Sequence, residues 1–175
     1  MLIVLGLPKT RNFVLTNNDI LRRIRYTFDL KDSTMLEIFS LADYKVTEEQ
    51  VYAWLKKEED AAFLKLNDTE LAVFLNGFIN FKRGKRDGQQ PKPEKHLNNN
   101  MVFQKLRIAL NLTADDILGV FQLIGFRLSK HELSAFFRKP GHKNYRECKD
   151  QILRNFLVGI QCQLRPNHNN SSSEA

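Results

Sequence analysis

Between residues 17 and 83 the apolar positions recur every three or four residues in short bursts separated by polar turns, and the chain almost never alternates apolar with polar. That is the period of a helix face, not of a half-buried strand, so the segment predicts helices and no sheet. Ile20, Leu21, Ile24 and Phe28 share one face of a first helix that starts at the Asn17-Asn18 pair, and Met35, Leu36, Ile38 and Phe39 belong to a second that begins near Asp32-Ser33. Thr47, followed three residues later by Gln50, makes a capping box in which each side chain satisfies the other's backbone N–H. It opens a third helix carrying Val51, Trp54 and Leu55. After a loop holding Phe63, Asp68 reads as the cap of a fourth helix with the stripe Leu71, Phe74, Leu75 and Phe78.

The same pattern returns at a constant offset of 82 residues, so that 17–83 aligns with 99–165 without a gap. Of the 67 aligned positions 15 are identical, where unrelated segments of ordinary composition match at roughly one in sixteen, which makes this a duplication. The identities include Asn17/Asn99, Asn18/Asn100, Arg25/Arg107, Phe39/Phe121, Asp68/Asp150, Phe74/Phe156 and Gly77/Gly159. The second copy predicts four helices at matching places. Val102, Phe103, Leu106 and Leu110 mark the first, Ala114-Asp115 starts the second, and Ser129 with Glu132 caps the third, which carries Leu133, Phe136 and Phe137 and stops at Pro140-Gly141. Tyr145 takes the place of Phe63, and Leu153, Phe156, Leu157 and Ile160 form the fourth stripe behind Asp150.

The expected architecture is therefore all-α: two homologous four-helix units, 17–83 and 99–165, joined by a basic Gly- and Pro-containing linker at 84–98 that reads as a semi-flexible tether. Units this small have marginal cores alone, so the copies are expected to pack on each other or on a second chain. Residues 1–16 form an extension whose apolar run Leu2 to Leu7 is too short for a membrane span, with Lys9 and Arg11 after it instead of before. Neither a signal peptide nor an anchor is expected. Val14 or Leu15 could be read from a GTG or TTG start codon, which makes the first dozen residues a candidate over-called start, testable by intact mass. The Asn- and Ser-rich 166–175 reads as a disordered tail.

Three stretches, Asn17-Asn18-Asp19-Ile20-Leu21-Arg22-Arg23-Ile24-Arg25-Tyr26, Val51-Tyr52-Ala53-Trp54-Leu55-Lys56-Lys57-Glu58 and Phe74-Leu75-Asn76-Gly77-Phe78 running into Lys82-Arg83-Gly84, resemble the YehS family, bacterial tandem-repeat proteins of unknown function. The resemblance covers both repeats and the linker. It implies a bacterial, cytoplasmic protein and brings no catalytic residues with it.

Reaction chemistry finds little support. The two cysteines, Cys148 and Cys162, cannot build a disulfide framework and fit a reducing compartment and a packing role. With His96, His131, His142 and His168 they form no metal-ligand spacing, so no metal and no cofactor is expected. No Gly-x-Ser-x-Gly and no phosphate-cradling glycine loop is present. The carboxylates at Glu48-Glu49 and Glu58-Glu59-Asp60 face Lys130-His131 and Pro140-Gly141-His142 in the other copy, as expected of a solvated face. A non-enzymatic protein is expected, with no catalytic residue and no small-molecule ligand inferred. Among duplicated polar positions, Arg25 and Arg107 suit pairing to a carboxylate or to helix-end carbonyls, with a ligand contact as the other reading. Gly77 and Gly159 interrupt a helix at a cost of about 1 kcal/mol, so another helix must approach there. The two fourth helices are a candidate crossing pair.

Charge separates the copies. The chain carries a formal +7, but repeat 1 stands at −2 and repeat 2 at +6, with a further +2 in the linker. Lys82, Arg83, Lys85 and Arg86 lead into the tether, and Arg138, Lys139, Lys143, Arg146 and Lys149 follow the third helix of repeat 2, with His142 and Tyr145 interleaved. Cations with interleaved aromatics suit phosphate-backbone contacts and base stacking, so these nine residues are the candidate DNA- or RNA-binding set. A helix-turn-helix is disfavoured, because Gly125 precedes the Ser129 cap by four residues and Phe121 fills a place usually taken by a small residue. The competing account is a protein-interaction adaptor or a homodimer in which acidic and basic copies attract, and a plain solvated face is the third. No membrane partner is expected.

Overall fold

The structure is a computed structural model that describes residues 14–166. Those residues form eight α-helices and no strand: α1 (Asn17–Thr27), α2 (Asp32–Leu41), α3 (Glu48–Leu55), α4 (Asp68–Arg83), α5 (Asn99–Leu110), α6 (Ala114–Leu123), α7 (Lys130–Ala135) and α8 (Asp150–Leu164). The over-called start and the disordered tail concern residues 1–13 and 167–175, which lie outside the described residues. None of the described helices is long and apolar enough to cross a membrane.

The predicted capping boxes at Thr47/Gln50 and Ser129/Glu132 are both formed, and Thr16/Asp19, Asn67/Glu70 and Thr113/Asp116 add three more. Hydrogen bonds from Thr113 and Ser129 to Asp116 and Glu132 hold these carboxyls below their ordinary range. Burial alone would raise Asp19, but bonds from Thr16 and the Arg22 guanidinium outweigh it, and this carboxyl also lies low. A carboxyl depressed in the fold stabilises above its unfolded pKa and loses that contribution as pH falls through the folded value. Thermal stability should therefore be insensitive to these caps above about pH 5 and decline below about pH 4. The pair of substitutions Asp116→Asn and Glu132→Gln should flatten that decline. A Tm-against-pH series on both proteins is the check, and equal acid slopes would contradict the assignment.

Asp68 and Asp150 are not the caps expected of them. Asn67 caps α4, and Lys149 precedes α8 without a side-chain bond. Each aspartate instead turns toward the first helix of its own repeat and toward the segment that leads into the first helix of the other repeat. Asn17 Nδ2 donates to Asp68 Oδ1 and Asn99 Nδ2 to Asp150 Oδ1, both at 2.7 Å. The second oxygen of Asp68 accepts the backbone N–H of Leu97 at 2.9 Å, and that of Asp150 accepts the N–H of Leu15 at 3.0 Å. Leu15 and Leu97 are themselves 82 residues apart, so the repeats clasp each other reciprocally.

The helix packing follows the same exchange. α4 packs on α5 and α8 on α1, while α2 crosses α4 and α6 crosses α8 within their repeats. One hydrophobic cluster runs through both copies, from Trp54, Phe39, Phe74 and Phe78 to Phe103, Phe121 and Phe156. Phe39 lies 5.5 Å from Trp54 and 5.3 Å from Phe74, and Phe103 lies 4.6 Å from Phe156, within the range of favourable tilted aromatic pairs. The arrangement is that of an isologous dimer fused into one chain.

The glycine expectation needs one correction. A Cβ on Gly77 would sit 1.9 Å from the carbonyl oxygen of Ile38, and one on Gly159 would sit 2.6 Å from Val120 Cγ1 and 2.7 Å from its carbonyl oxygen. The helices that approach are α2 and α6, each inside its own repeat. The fourth helices do not cross each other at these glycines.

The linker also differs from a semi-flexible tether. Asn80 donates to Gln90 at 2.8 Å, Lys105 pairs with Glu94 at 2.9 Å, and Leu97 is tied to Asp68. It is a strap laid beside α4 and α5 and fixed at several points along its length.

Candidate nucleic-acid interface

Beside the α4–α5 seam the strap stands off from the helices and leaves two cavities. One, of about 780 Å³, is lined among others by Arg83, Arg86, Asp87 and Arg107. The other, of about 510 Å³, is lined by Glu94, Lys105, Phe137, Arg138, Lys139 and Tyr145. Ile79, Pro91, Gln104 and Ile108 belong to both walls, so the two form one trough. Its cations are Arg83, Arg86, Lys105, Arg107, Arg138 and Lys139, against the carboxylates Asp87 and Glu94.

Each element places its residues for a local reason. Arg83 ends α4, where Gly84 at φ 92° turns the chain out of the helix and starts the strap. Arg138 and Lys139 lie in the turn beyond α7, after the Phe136 cap and Phe137, and Pro140 and Gly141, the latter at φ 88°, keep the chain there from resuming a helix. Arg107 sits in the last turn of α5. Its Nε donates to the Leu112 carbonyl at 3.2 Å, and its guanidinium lies 4.6 Å over the Phe137 ring, so that it bridges the two cavities. Arg25, its counterpart, pairs with Asp32 at 2.9 Å. Both therefore show the carboxylate and carbonyl pairing expected of them, and Arg107 adds a wall to the trough.

The nine predicted residues divide. Arg83, Arg86, Arg138 and Lys139 are brought together in the trough, although they come from two segments more than 50 residues apart. Lys82 lies outside it with its ammonium 4.9 Å over the Phe28 ring, and Lys85 is paired with Asp43. Lys143 is exposed, Lys149 pairs with Glu147 at 2.9 Å, and Arg146 contributes its backbone, donating to the Ala135 carbonyl and accepting from Asn100. None of these five lines the trough. Lys105 and Arg107 were not in the predicted set. The signal for them was the face of α5 left over once Val102, Phe103, Leu106 and Leu110 are turned inward, which leaves Gln104, Lys105, Arg107 and Ile108 outside the core stripe.

Other chemistry is sparse. No cluster of His, Cys, Asp or Glu able to hold a metal occurs among the described residues. Cys148 is buried, and burial together with the Asp150 and Glu147 charges pushes its thiol up to about 12, so it is a poor nucleophile. His142 is exposed and accepts the Asn144 amide at 3.0 Å.

A duplicated all-helical unit, closed on itself by reciprocal clasps, defines a tandem-repeat protein. The model of the family described as "Protein of unknown function (DUF1456)" matches residues 17–84 and again 99–165. The chain is 44% identical over 145 residues to "Uncharacterized protein YehS" of Escherichia coli (strain K12), an alignment that covers 82% of this chain and 93% of the relative. The chain belongs to this DUF1456 family, in keeping with the resemblance read from its motifs. No solved structure matches it.

Proposed function

We propose that the protein is a non-enzymatic binding module that associates with single-stranded nucleic acid along the α4–α5 trough. The observation that carries this reading is the convergence of Arg83 at the end of α4 and Arg86 of the strap with Arg138 and Lys139 from the turn after α7 on one groove that also presents Phe137 and Tyr145. Cations along a groove follow a phosphate backbone, and aromatic edges beside them offer stacking to unpaired bases. The groove lies between the strap and helices α4 and α5, so its lining and not a recognition helix carries the reading. The competing attraction between acidic and basic copies already has an outlet inside the chain, where Arg165 of repeat 2 pairs with Asp29 of repeat 1 at 3.0 Å. Arg83, Arg86, Arg138 and Lys139 take no part in that pair.

The test is fluorescence anisotropy with a labelled single-stranded oligonucleotide at about 50 mM salt. Four phosphate contacts predict a log–log salt slope near about −3. Neutralising Arg83, Arg86, Arg138 and Lys139 together to Gln should weaken binding at least about tenfold and flatten that slope. Neutralising Lys143 and Lys149 should change little. Failure to bind at low salt, or equal losses from both sets, would remove the trough from this role.

A further inference from the structure

The two repeats share one fold, but a junction that is bridged in the first is left unbridged in the second. In repeat 1 Arg22 Nη1 donates to the Lys56 carbonyl at 2.7 Å, which ties α1 to the end of α3. At the 82-residue offset the corresponding pair is Gln104 and Arg138. Gln104 makes no side-chain hydrogen bond to another described residue, and the cavity of about 510 Å³ lies here, between α5 and the turn after α7. Its whole lining, from Asn76 to Tyr145, belongs to the described residues.

The rings of this cavity are not equivalent. Phe137 is engaged already, with the Arg107 guanidinium 4.6 Å over it and the Phe103 ring 5.0 Å away, and Phe136 is buried against Phe103 at 6.3 Å. Tyr145 is half-buried, has no ring or cation partner among the described residues, and its hydroxyl makes no hydrogen bond to them. The backbone fixes its place: its N–H donates to the His142 carbonyl at 2.8 Å, and the next N–H, of Arg146, donates to the Ala135 carbonyl at 3.1 Å. A positioned ring with an uncommitted face, beside the apolar walls of Ile79, Pro91, Met101 and Ile108, offers π surface and shelter from water to an unpaired base. The Gln104 amide adds one donor group and one acceptor for the base edge. The cations are set around this pocket, Arg138 and Lys139 in its own lining and Arg83, Arg86 and Arg107 in that of the adjoining cavity.

We propose that this cavity is a base pocket, in which one unpaired base stacks on Tyr145 and is hydrogen-bonded along its edge by Gln104, while the flanking phosphates follow the trough cations. The proposal rests on the trough reading and narrows its ligand to a strand with accessible bases, as opposed to any polyanion. Every base has a π face, and the Gln104 amide turns either its N–H or its carbonyl toward the edge it meets, so the pocket holds a base without selecting a sequence.

The experiment compares two labelled strands of equal length on the full chain by fluorescence anisotropy, one an ordinary single-stranded oligonucleotide and the other built wholly of abasic sites. Both carry the same phosphates. The abasic strand should bind at least about fivefold more weakly, with the same salt slope. Tyr145→Leu should weaken the ordinary strand by at least about fivefold and Gln104→Ala by about threefold or more, and both should leave the abasic strand unchanged. Tyr145→Phe keeps the ring and should keep the binding of both strands. Unchanged binding of the abasic strand also shows that each variant is folded. Equal affinity for the two strands, a Tyr145→Leu loss that persists in full on the abasic strand, a Tyr145→Phe loss as large as that of leucine, or no loss in one of the Leu and Ala variants would overturn the pocket and leave the trough standing as a phosphate site. Binding of neither strand would remove the pocket and the trough together.

Discussion

Gly77→Ala should destabilise the protein by about 3 kcal/mol or more, lowering Tm by roughly 10 °C for a chain of this size. Helix propensity alone argues the other way, since alanine in a helix interior is favoured over glycine by about 1 kcal/mol. Packing decides the sign. The added methyl would lie 1.9 Å from the Ile38 carbonyl oxygen, a backbone atom on α2 that can yield only if the whole helix moves off α4. That movement would separate Phe39 and Met35 from Phe74 at the centre of repeat 1, where all three are fully buried. Gly159→Ala meets Val120 Cγ1 at 2.6 Å and the Val120 carbonyl oxygen at 2.7 Å, and the side-chain part of that overlap can rotate away. The expected loss there is smaller, about 1–3 kcal/mol. Urea unfolding of both variants gives the order directly. Stabilisation of either, or a larger loss at Gly159, would contradict the crossing geometry.

Asn18→Ala should cost about 2–4 kcal/mol, and Asn100→Ala a similar amount, because each removal strands several buried backbone groups at once. Asn18 Nδ2 donates to the carbonyls of Trp54 and Leu64, both at 2.9 Å, and its Oδ1 accepts the Leu66 N–H at 3.0 Å. Asn100 makes the same set with Phe136, Arg146 and Cys148 at 3.0, 2.8 and 2.9 Å. One amide thus ties the start of the first helix to both ends of the loop that connects the third and fourth. Asn18→Asp keeps the acceptor but loses both donors and sets a carboxylate against two carbonyl oxygens, so at neutral pH it should be at least as damaging as alanine. Loss of less than about 1 kcal/mol in both alanine variants would mean that the loop is held elsewhere.

These two sites also show how far the sequence could be read. The 82-residue offset singles out Asn18/Asn100 and Gly77/Gly159 before any coordinates, and the apolar stripes and the Thr47 and Ser129 caps place the helices that carry them. Their partners were out of reach. The Ile38 carbonyl and the Leu64 carbonyl are backbone groups, which have no residue type to mark them. Asp68 was misread for a related reason. An aspartate at the start of a helical stripe has a local explanation as a cap, and its actual bond to Leu97 N–H depends on the docking of two repeats. The strap was misread because Gly, Pro and charge describe a chain without its own secondary structure, whether it is free or pinned by Asn80 and Lys105. In the candidate site, clustering in sequence sets Arg83 near Arg86 and Arg138 next to Lys139 within each segment. That the two segments face one groove, with Lys105 and Arg107 between them, follows only from the α4–α5 seam.

The trough is tested most directly by photo-crosslinking a single-stranded oligonucleotide to the full chain at low salt and mapping the adducts by mass spectrometry. Adducts should concentrate on Phe137, Tyr145 and the strap between Gly84 and Pro91, and should disappear when Arg83, Arg86, Arg138 and Lys139 are neutralised together. Adducts spread over the Lys143 and Lys149 surface, or unchanged in that variant, would contradict the assignment of this groove as the nucleic-acid site.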